Sequence, residues 1–243
     1  MSIRRLMESI LFPPQRLDRR RLAEQLQGET ILITGASSGI GEQLSFMLSE
    51  YPVHLILVAR REGKLLEMKR EMEARGTAKV TVYALDLRDD DRMRGLLAAL
   101  HTEHHDIDIV VSNAGHSIRR SIYDSLDRYH DFTRTMAINY FAPVQLLLSL
   151  IPMLERTGGH FIHTSTVNAR MKPIPGWAAY QASKAAFDVW FRSAEPELNR
   201  RGIRTTSLYL PLVRTPMIQP TAAYSKMPAM TTEQVARIIG RCI

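Results

Sequence analysis

Tyr180 and Lys184 stand one helical turn apart in Tyr180-Gln181-Ala182-Ser183-Lys184. Residues four apart on a helix share a face, so a phenol and an ammonium can meet over one site. A free tyrosine titrates near ~10, too high for proton transfer at neutral pH. A neighbouring cation favours the phenolate and brings Tyr180 toward the useful range. The pair alone is weak evidence, because Tyr and Lys at this spacing occur on many amphipathic helices.

A second constellation strengthens it. Gly35-Ala36-Ser37-Ser38-Gly39-Ile40-Gly41 follows the apolar run Ile31-Leu32-Ile33-Thr34 and opens a helical pattern. Gly35 suits a tight turn, Gly39 the approach of backbone to a pyrophosphate, and Gly41 close packing of helix on strand. The free N–H groups and positive end of that helix suit an anion. The next apolar run, His54–Ala59, ends in Arg60-Arg61. An acid at that place holds the ribose 2′-hydroxyl of NAD, whereas a cation takes the 2′-phosphate of NADP. Arg60, aided by the Ser37 hydroxyl, therefore predicts NADP(H).

The elements that must position these groups alternate along the chain. Thr30–Thr34, Val53–Ala59, Lys79–Ala84, Ile107–Ser112, His160–Ser165 and Ile203–Tyr209 read as buried strands. Helical patterns lie between them, near 40–50, 62–75, 89–104, 126–155 and 176–200. Such alternation predicts an α/β fold with one parallel, doubly wound sheet and helices on both faces. At 243 residues without internal repeats, residues 28–243 make a single domain.

Residues 1–27 form a basic extension in which Ile3, Leu6, Met7, Ile10 and Leu11 recur at helical spacing before Pro13-Pro14. Residues 3–11 suit a membrane surface; docking on the chain's own domain or on a partner subunit is the expected use. At the other end, Thr231 caps a helix that runs to Ile243. Sheets of this type commonly carry a further strand after it, so that strand is absent here, supplied by another subunit or lost by truncation.

Bulk properties narrow the class. The single cysteine, Cys242, excludes an internal disulfide and agrees with a reducing compartment. No uninterrupted apolar run approaches the ~20 residues of a membrane span, and no cleaved signal follows Arg4-Arg5. A cytoplasmic location, peripheral to a membrane if residues 3–11 engage one, is the expectation. The net charge of +7 is 32 basic against 25 acidic residues without interleaved aromatics. That excludes a nucleic-acid array and favours phosphate-bearing small molecules.

From about Gly28 onward the chain resembles the short-chain dehydrogenase/reductase family, in feel nearest its fatty acyl-CoA and long-chain aldehyde reductases. Thr34-Gly35-x-x-x-Gly39-x-Gly41 and Tyr180-x-x-x-Lys184 resemble its cofactor turn and catalytic signature. Asp86-Leu87 resembles its adenine-contacting acid, and Ser112-Asn113-Ala114-Gly115 its Asn-Asn-Ala-Gly element with serine first. Asn139 falls at its helix asparagine, and Pro211-Leu212-Val213-Arg214-Thr215 resembles its Pro-Gly-x-x-Thr segment beside the nicotinamide, with Leu212 replacing glycine.

The resemblance implies a Rossmann-type fold and hydride transfer between a nicotinamide and a carbonyl or alcohol. It implies that Tyr180 exchanges the proton, that Lys184 lowers its pKa and holds the nicotinamide ribose, and that Asn139 holds a linking water. A serine on the alkoxide completes the set, usually 13 residues before the tyrosine, which here is Val167. Counting forward from Gly158-Gly159 reaches Thr166, with Ser165 as its substitute. The stretch from Asn113 to Phe141 resembles reductases of fatty acyl-CoA or fatty aldehydes, with Arg119-Arg120 placed for an acyl carrier's phosphate. Residues 211–230, with four prolines and three methionines, suit a lid over an apolar substrate. The alternatives are a β-ketoacyl or hydroxysteroid-type reductase, or a non-catalytic NADP-binding regulator. Family members pair through the long helices, which implies a homodimer or homotetramer.

Overall fold

The computed structural model describes residues 3–243, without the side chains of residues 3, 5, 222 and 223. Ile3 of the expected apolar stripe therefore lies outside the described side chains. Six strands, β1 (Thr30–Thr34), β2 (His54–Ala59), β3 (Lys79–Ala84), β4 (Ile109–Ser112), β5 (His160–Thr166) and β6 (Arg204–Leu210), form one sheet in the order β3-β2-β1-β4-β5-β6. Every pairing is parallel. All six strands and the five central helices expected from the sequence are present, with ends shifted by a few residues.

Between the strands run α3 (Gly39–Leu48), α4 (Glu62–Arg75), α5 (Asp90–Glu103) and α8 (Ala178–Arg200). One long helix comprises α6 (Tyr129–Met136), a π-turn over Ala137–Phe141 and α7 (Ala142–Thr157). Ile31 and Ile33 of β1 point to a layer with α3 and α4, whereas Leu32 points to one with α5, α7 and α8. Both faces are covered at the centre, which is why β1, β2 and β4 read as nearly continuous apolar runs. Tyr129–Thr157 is, contrary to the expectation from apolar runs, long and apolar enough to cross a membrane. Its Leu146, Leu147, Leu150 and Leu154 instead fill the core against the sheet.

Two short helices precede the sheet, α1 (Ile3–Leu11) and α2 (Arg19–Leu26). α2 begins at Asp18, whose carboxylate accepts from Arg21 N, and buries Leu22 and Leu26. The last helix, α9 (Thr232–Cys242), starts at a reciprocal cap: Thr231 Oγ1 accepts from Gln234 N at 3.1 Å and Gln234 Oε1 from Thr231 N at 2.8 Å. It packs on α3. No strand follows it among the described residues. The strand order reverses between β1 and β4, so the crevice for a ligand opens at their carboxyl ends.

Candidate active site

The glycine turn leaves β1 at that crevice. Gly35 and Gly39 hold φ of +68° and +59°, the left-handed region that glycine tolerates best. A Cβ on Gly41 would stand 2.4 Å from Gly35 O, so the turn closes only without one. Asn113 locks it from β4, donating Nδ2 to Thr34 O at 3.1 Å, while its backbone N–H and that of Ala114 reach Thr34 Oγ1, each at 3.0 Å. Thr215 lies across the turn, its Cγ2 3.0 Å from where a Gly39 Cβ would be. Gly35, Ser37, Ser38, Gly39, Ile40, Gly41, Asn113, Ala114 and Thr215 thus come together as expected. A cradle that a single methyl would fill, opening on a helix N-terminus, fits a dinucleotide pyrophosphate.

The cation beside it differs from the expectation. Arg61, not Arg60, reaches Ser37, donating to its carbonyl at 2.5 Å and its hydroxyl at 3.3 Å. Arg61 is also the cap residue of α4, so the chain turns there and swings its side chain over the glycine loop. Arg60 is exposed, and its charge is felt by Asp86 and His116. Asp86 is held by Arg88, at 2.6 Å from Nη2 and 3.0 Å from Nε, and this pairing keeps its carboxyl below the usual range. Leu87 is buried in the apolar layer beside Met93, so its side chain belongs to the core.

The catalytic candidates converge from α8, β5 and the π-turn. Tyr180 is half-buried, and Thr166, whose Oγ1 accepts from Asn168 N at 3.3 Å, stands near enough to favour its phenolate. Burial raises the phenol's pKa, opposed by Thr166 and reinforced by the nearby Tyr224. The expected lowering by Lys184 does not appear; the Lys184 ammonium is buried and donates to Thr164 O at 3.1 Å. Burial lowers the Lys184 pKa to about 8. Ser165 is 5% exposed and its Oγ has no partner among the described residues. Of the two hydroxyls, the structure brings Thr166 to the phenol.

Asn139 sits fully buried on the π-turn, a break in helical spacing often found at functional sites. Its amide donates to His116 O at 2.8 Å and Ser183 Oγ at 2.9 Å, and accepts from His116 N at 2.9 Å. A Cβ on Gly115 would stand 3.1 Å from Asn139 Oδ1 and 3.8 Å from Lys184 Nζ, so these three residues are neighbours. Arg120 is engaged by the buried Asp131 at 2.9 Å, a carboxylate shared with Arg128 and Arg134. Arg119 stands instead near Gly176 and Tyr224.

Several neighbours were not singled out from sequence. Trp177 stacks on Tyr224 at 5.8 Å and meets Tyr180 edge-on at the same distance, which sets loop 211–230 against the site. Gln181 pins residues 168–174 beneath it, donating to Asn168 O at 2.8 Å and accepting from Ile174 N at 3.0 Å. Ser183 stood inside the Tyr-x-x-x-Lys spacing and was legible there. His163, buried near Lys184 and tilted against Phe187 at 4.2 Å, carried no local signal.

The loop itself is closed at its base. Arg214 N reaches Met230 O and Met230 N reaches Leu212 O, each at 2.9 Å, and Val213, Ala229 and Met230 are buried. It resembles an Ω-loop with joined ends.

Known proteins resemble this chain in sequence and fold. The short chain dehydrogenase family pattern matches residues 29–225. The chain is 39% identical to a fatty acyl-CoA reductase of Acinetobacter baylyi over 89% of its length and 73% of the relative's. It is 40% identical to a fatty acyl-CoA reductase of Mycobacterium tuberculosis over 87% of its length and 72% of the relative's. Among solved structures, a short-chain dehydrogenase/reductase from Mycobacterium marinum superposes with a TM-score of 0.79 at 26% identity, covering 88% of each chain. Glycine turn, sheet order and matched length agree, and the chain belongs to the short-chain dehydrogenase family, whose members are oxidoreductases that use a nicotinamide cofactor.

Proposed function

We propose that the chain is an NADPH-dependent reductase of a long-chain fatty acyl-CoA or fatty aldehyde. The carrying observation is the convergence of the Tyr180 phenol, the Thr166 hydroxyl and the buried Lys184 beside the glycine cradle. The substrate class rests on the similarity to the two fatty acyl-CoA reductases and on the Trp177–Tyr224 wall. Bound NADPH supplies the hydride. Tyr180 gives its phenolic proton to the carbonyl oxygen, and Thr166 donates a hydrogen bond to the charge that develops there. Lys184, charged below about pH 8, holds the ribose and favours the phenolate left behind. Asn139 ties the His116 backbone to Ser183 and so fixes the floor of the site.

Arg61 on Ser37, with Arg60 alongside, supports the 2′-phosphate and hence NADP(H). Arg61→Ala is expected to cost ~10- to 100-fold in NADPH affinity, the range of one charge-assisted hydrogen bond, and to spare NADH. Equal losses for both cofactors would remove the assignment. Tyr129, Phe141, Leu148 and Val189 leave apolar surface on the long helices, where a homodimer or homotetramer contact belongs. The deciding assay is NADPH oxidation against acyl-CoA and aldehydes of increasing length and against small ketones, with Tyr180→Phe as the blank. Indifference to chain length would return the substrate to the broader carbonyl class.

A further inference from the structure

α1 is docked the wrong way round for a helix stabilised by its own domain. An amphipathic helix of a globular protein normally turns its apolar stripe inward. Here Leu6, Met7, Ile10 and Leu11 are 48%, 45%, 71% and 56% exposed. The inward contacts are polar. Glu8 pairs with Arg214 and accepts from Ala229 N at 3.3 Å, and Arg4 donates to Ser225 O at 2.7 Å. Every one of these partners lies on loop 211–230.

Charge is concentrated around the same helix. Residues 1–27 hold six arginines against Glu8, Asp18 and Glu24; residues 211–230 hold Arg214 and Lys226 and no acid; residues 231–243 hold Arg237 and Arg241 against Glu233. Six of the seven net charges therefore fall on these three segments, and the whole stretch 28–210 carries one. The segments are stitched into one face, with Gln234 Nε2 donating to Phe12 O at 2.7 Å and Arg241 to Gln15 Oε1 at 2.5 Å. Arg16, Arg21, Lys226 and Arg241 of these segments are exposed, while Arg19 pairs with Glu50 and Arg20 with Glu24, each at 3.2 Å.

We propose that this face seats on an anionic lipid bilayer, with the apolar side of α1 entering the headgroup region and the surrounding cations meeting lipid phosphates. An outward apolar stripe ringed by basic side chains matches such a surface in both chemistry and charge. A second copy of the chain matches poorly, because a two-fold contact would press one basic face on another. Through Glu8–Arg214 and Arg4–Ser225 the seated helix holds loop 211–230, so the loop beside Tyr180 lies at the membrane interface. The inference does not depend on which carbonyl substrate is reduced.

The test is co-sedimentation of the full chain with phosphatidylcholine vesicles, with and without phosphatidylglycerol. Pelleting is expected with the anionic vesicles and not with the neutral ones. Leu6→Ser with Ile10→Ser should weaken it by more than ~10-fold, since two apolar side chains leave the lipid. Arg16→Gln should weaken it about 5-fold, the share of one surface cation. All three side chains are exposed, so circular dichroism and the thermal midpoint should match the parent. Equal binding to neutral vesicles, unchanged pelleting of the Leu6/Ile10 variant, or no pelleting of the parent each overturns the proposal. So does a concentration-dependent dimer, seen by sedimentation velocity, that the Leu6/Ile10 variant abolishes without any vesicle binding.

Discussion

Lys184 is the side chain whose burial conflicts most with its charge. It is 5% exposed, and its carbonyl partner, Thr164 O, is neutral. Its folded pKa of about 8 lies below the free value of 10.5, so the unfolded chain binds the proton more tightly. The resulting penalty on stability is complete below about pH 8 and fades as pH rises toward 10.5. Lys184→Met keeps the length and removes the charge. At pH 7 it should unfold at a higher temperature than the parent while losing turnover, with the gap narrowing by pH 10. A variant that is less stable at pH 7 would show that the ammonium is better solvated than its burial indicates. The neighbouring hydroxyl has an equally direct test. Thr166→Val should lower kcat by ~10²- to 10³-fold with NADPH binding intact, as for a lost oxyanion donor, and Ser165→Ala should leave kcat near parental. The opposite pattern would move the role to Ser165. Tyr180 and Lys184 were legible because helix spacing fixes which residues share a face, whereas the count back from Tyr180 reached Val167 and only the count along the strand reached Thr166. The Trp177–Tyr224 stack was not, since nothing local joins those two positions.

At the scale of elements, β1, β2 and β4 declared themselves because they are buried on both faces and carry little polar interruption, whereas the edge strands β3 and β6 are only half-buried. Strand ends were less exact. Ile107 is fully buried and reads as strand, although β4 begins at Ile109. The choice between Arg60 and Arg61 was hidden for a related reason. At the end of β2 a shift of one residue moves a side chain to the opposite face, and the turn into α4 sets which one reaches Ser37. The π-turn was equally invisible, since one extra residue in a turn leaves no mark on an apolar pattern. The glycine turn carries the firmest prediction at this scale. In Gly41→Ala the new methyl meets backbone, Gly35 O, rather than a side chain that can swing away. NADPH affinity should fall at least ~10-fold, the equivalent of ~1.4 kcal/mol, as read by fluorescence titration. The sheet should persist by circular dichroism. An alanine variant that binds NADPH like the parent would mean that the turn relaxes freely and that its glycine serves another purpose.

For the molecule as a whole, titratable groups set limits at both ends of the pH scale. Five of the eight histidines are held below their ordinary value, chiefly by burial. His54 and His160 come down to about 4, the latter facing Arg204, and burial with the nearby Lys184 holds His163 well below its ordinary value. Each stays neutral in the folded chain while its unfolded counterpart takes up a proton near pH 6.5. Stability is therefore intact above pH 6.5 and drains as pH falls toward 4. His160 and His163 share β5 with Thr166, so the strand that carries the site is also among the most acid-sensitive. The alkaline limit comes from Lys184, whose ammonium discharges near pH 8. Carbonyl reduction should accordingly have a plateau between about pH 6.5 and 8, with a reversible loss of kcat on the alkaline side and a loss of folded protein on the acid side. The two are separated by following thermal midpoint and turnover on the same samples. The midpoint should fall between pH 7 and pH 5 by ~4–8 °C, which is ~2 kcal/mol for a chain of this size. His163→Asn should recover part of that fall, because asparagine cannot take up the proton in the unfolded chain. A midpoint that is flat from pH 7 to pH 5 would mean that the buried imidazoles find water or partners when charged, and the acid limit would then belong to other groups.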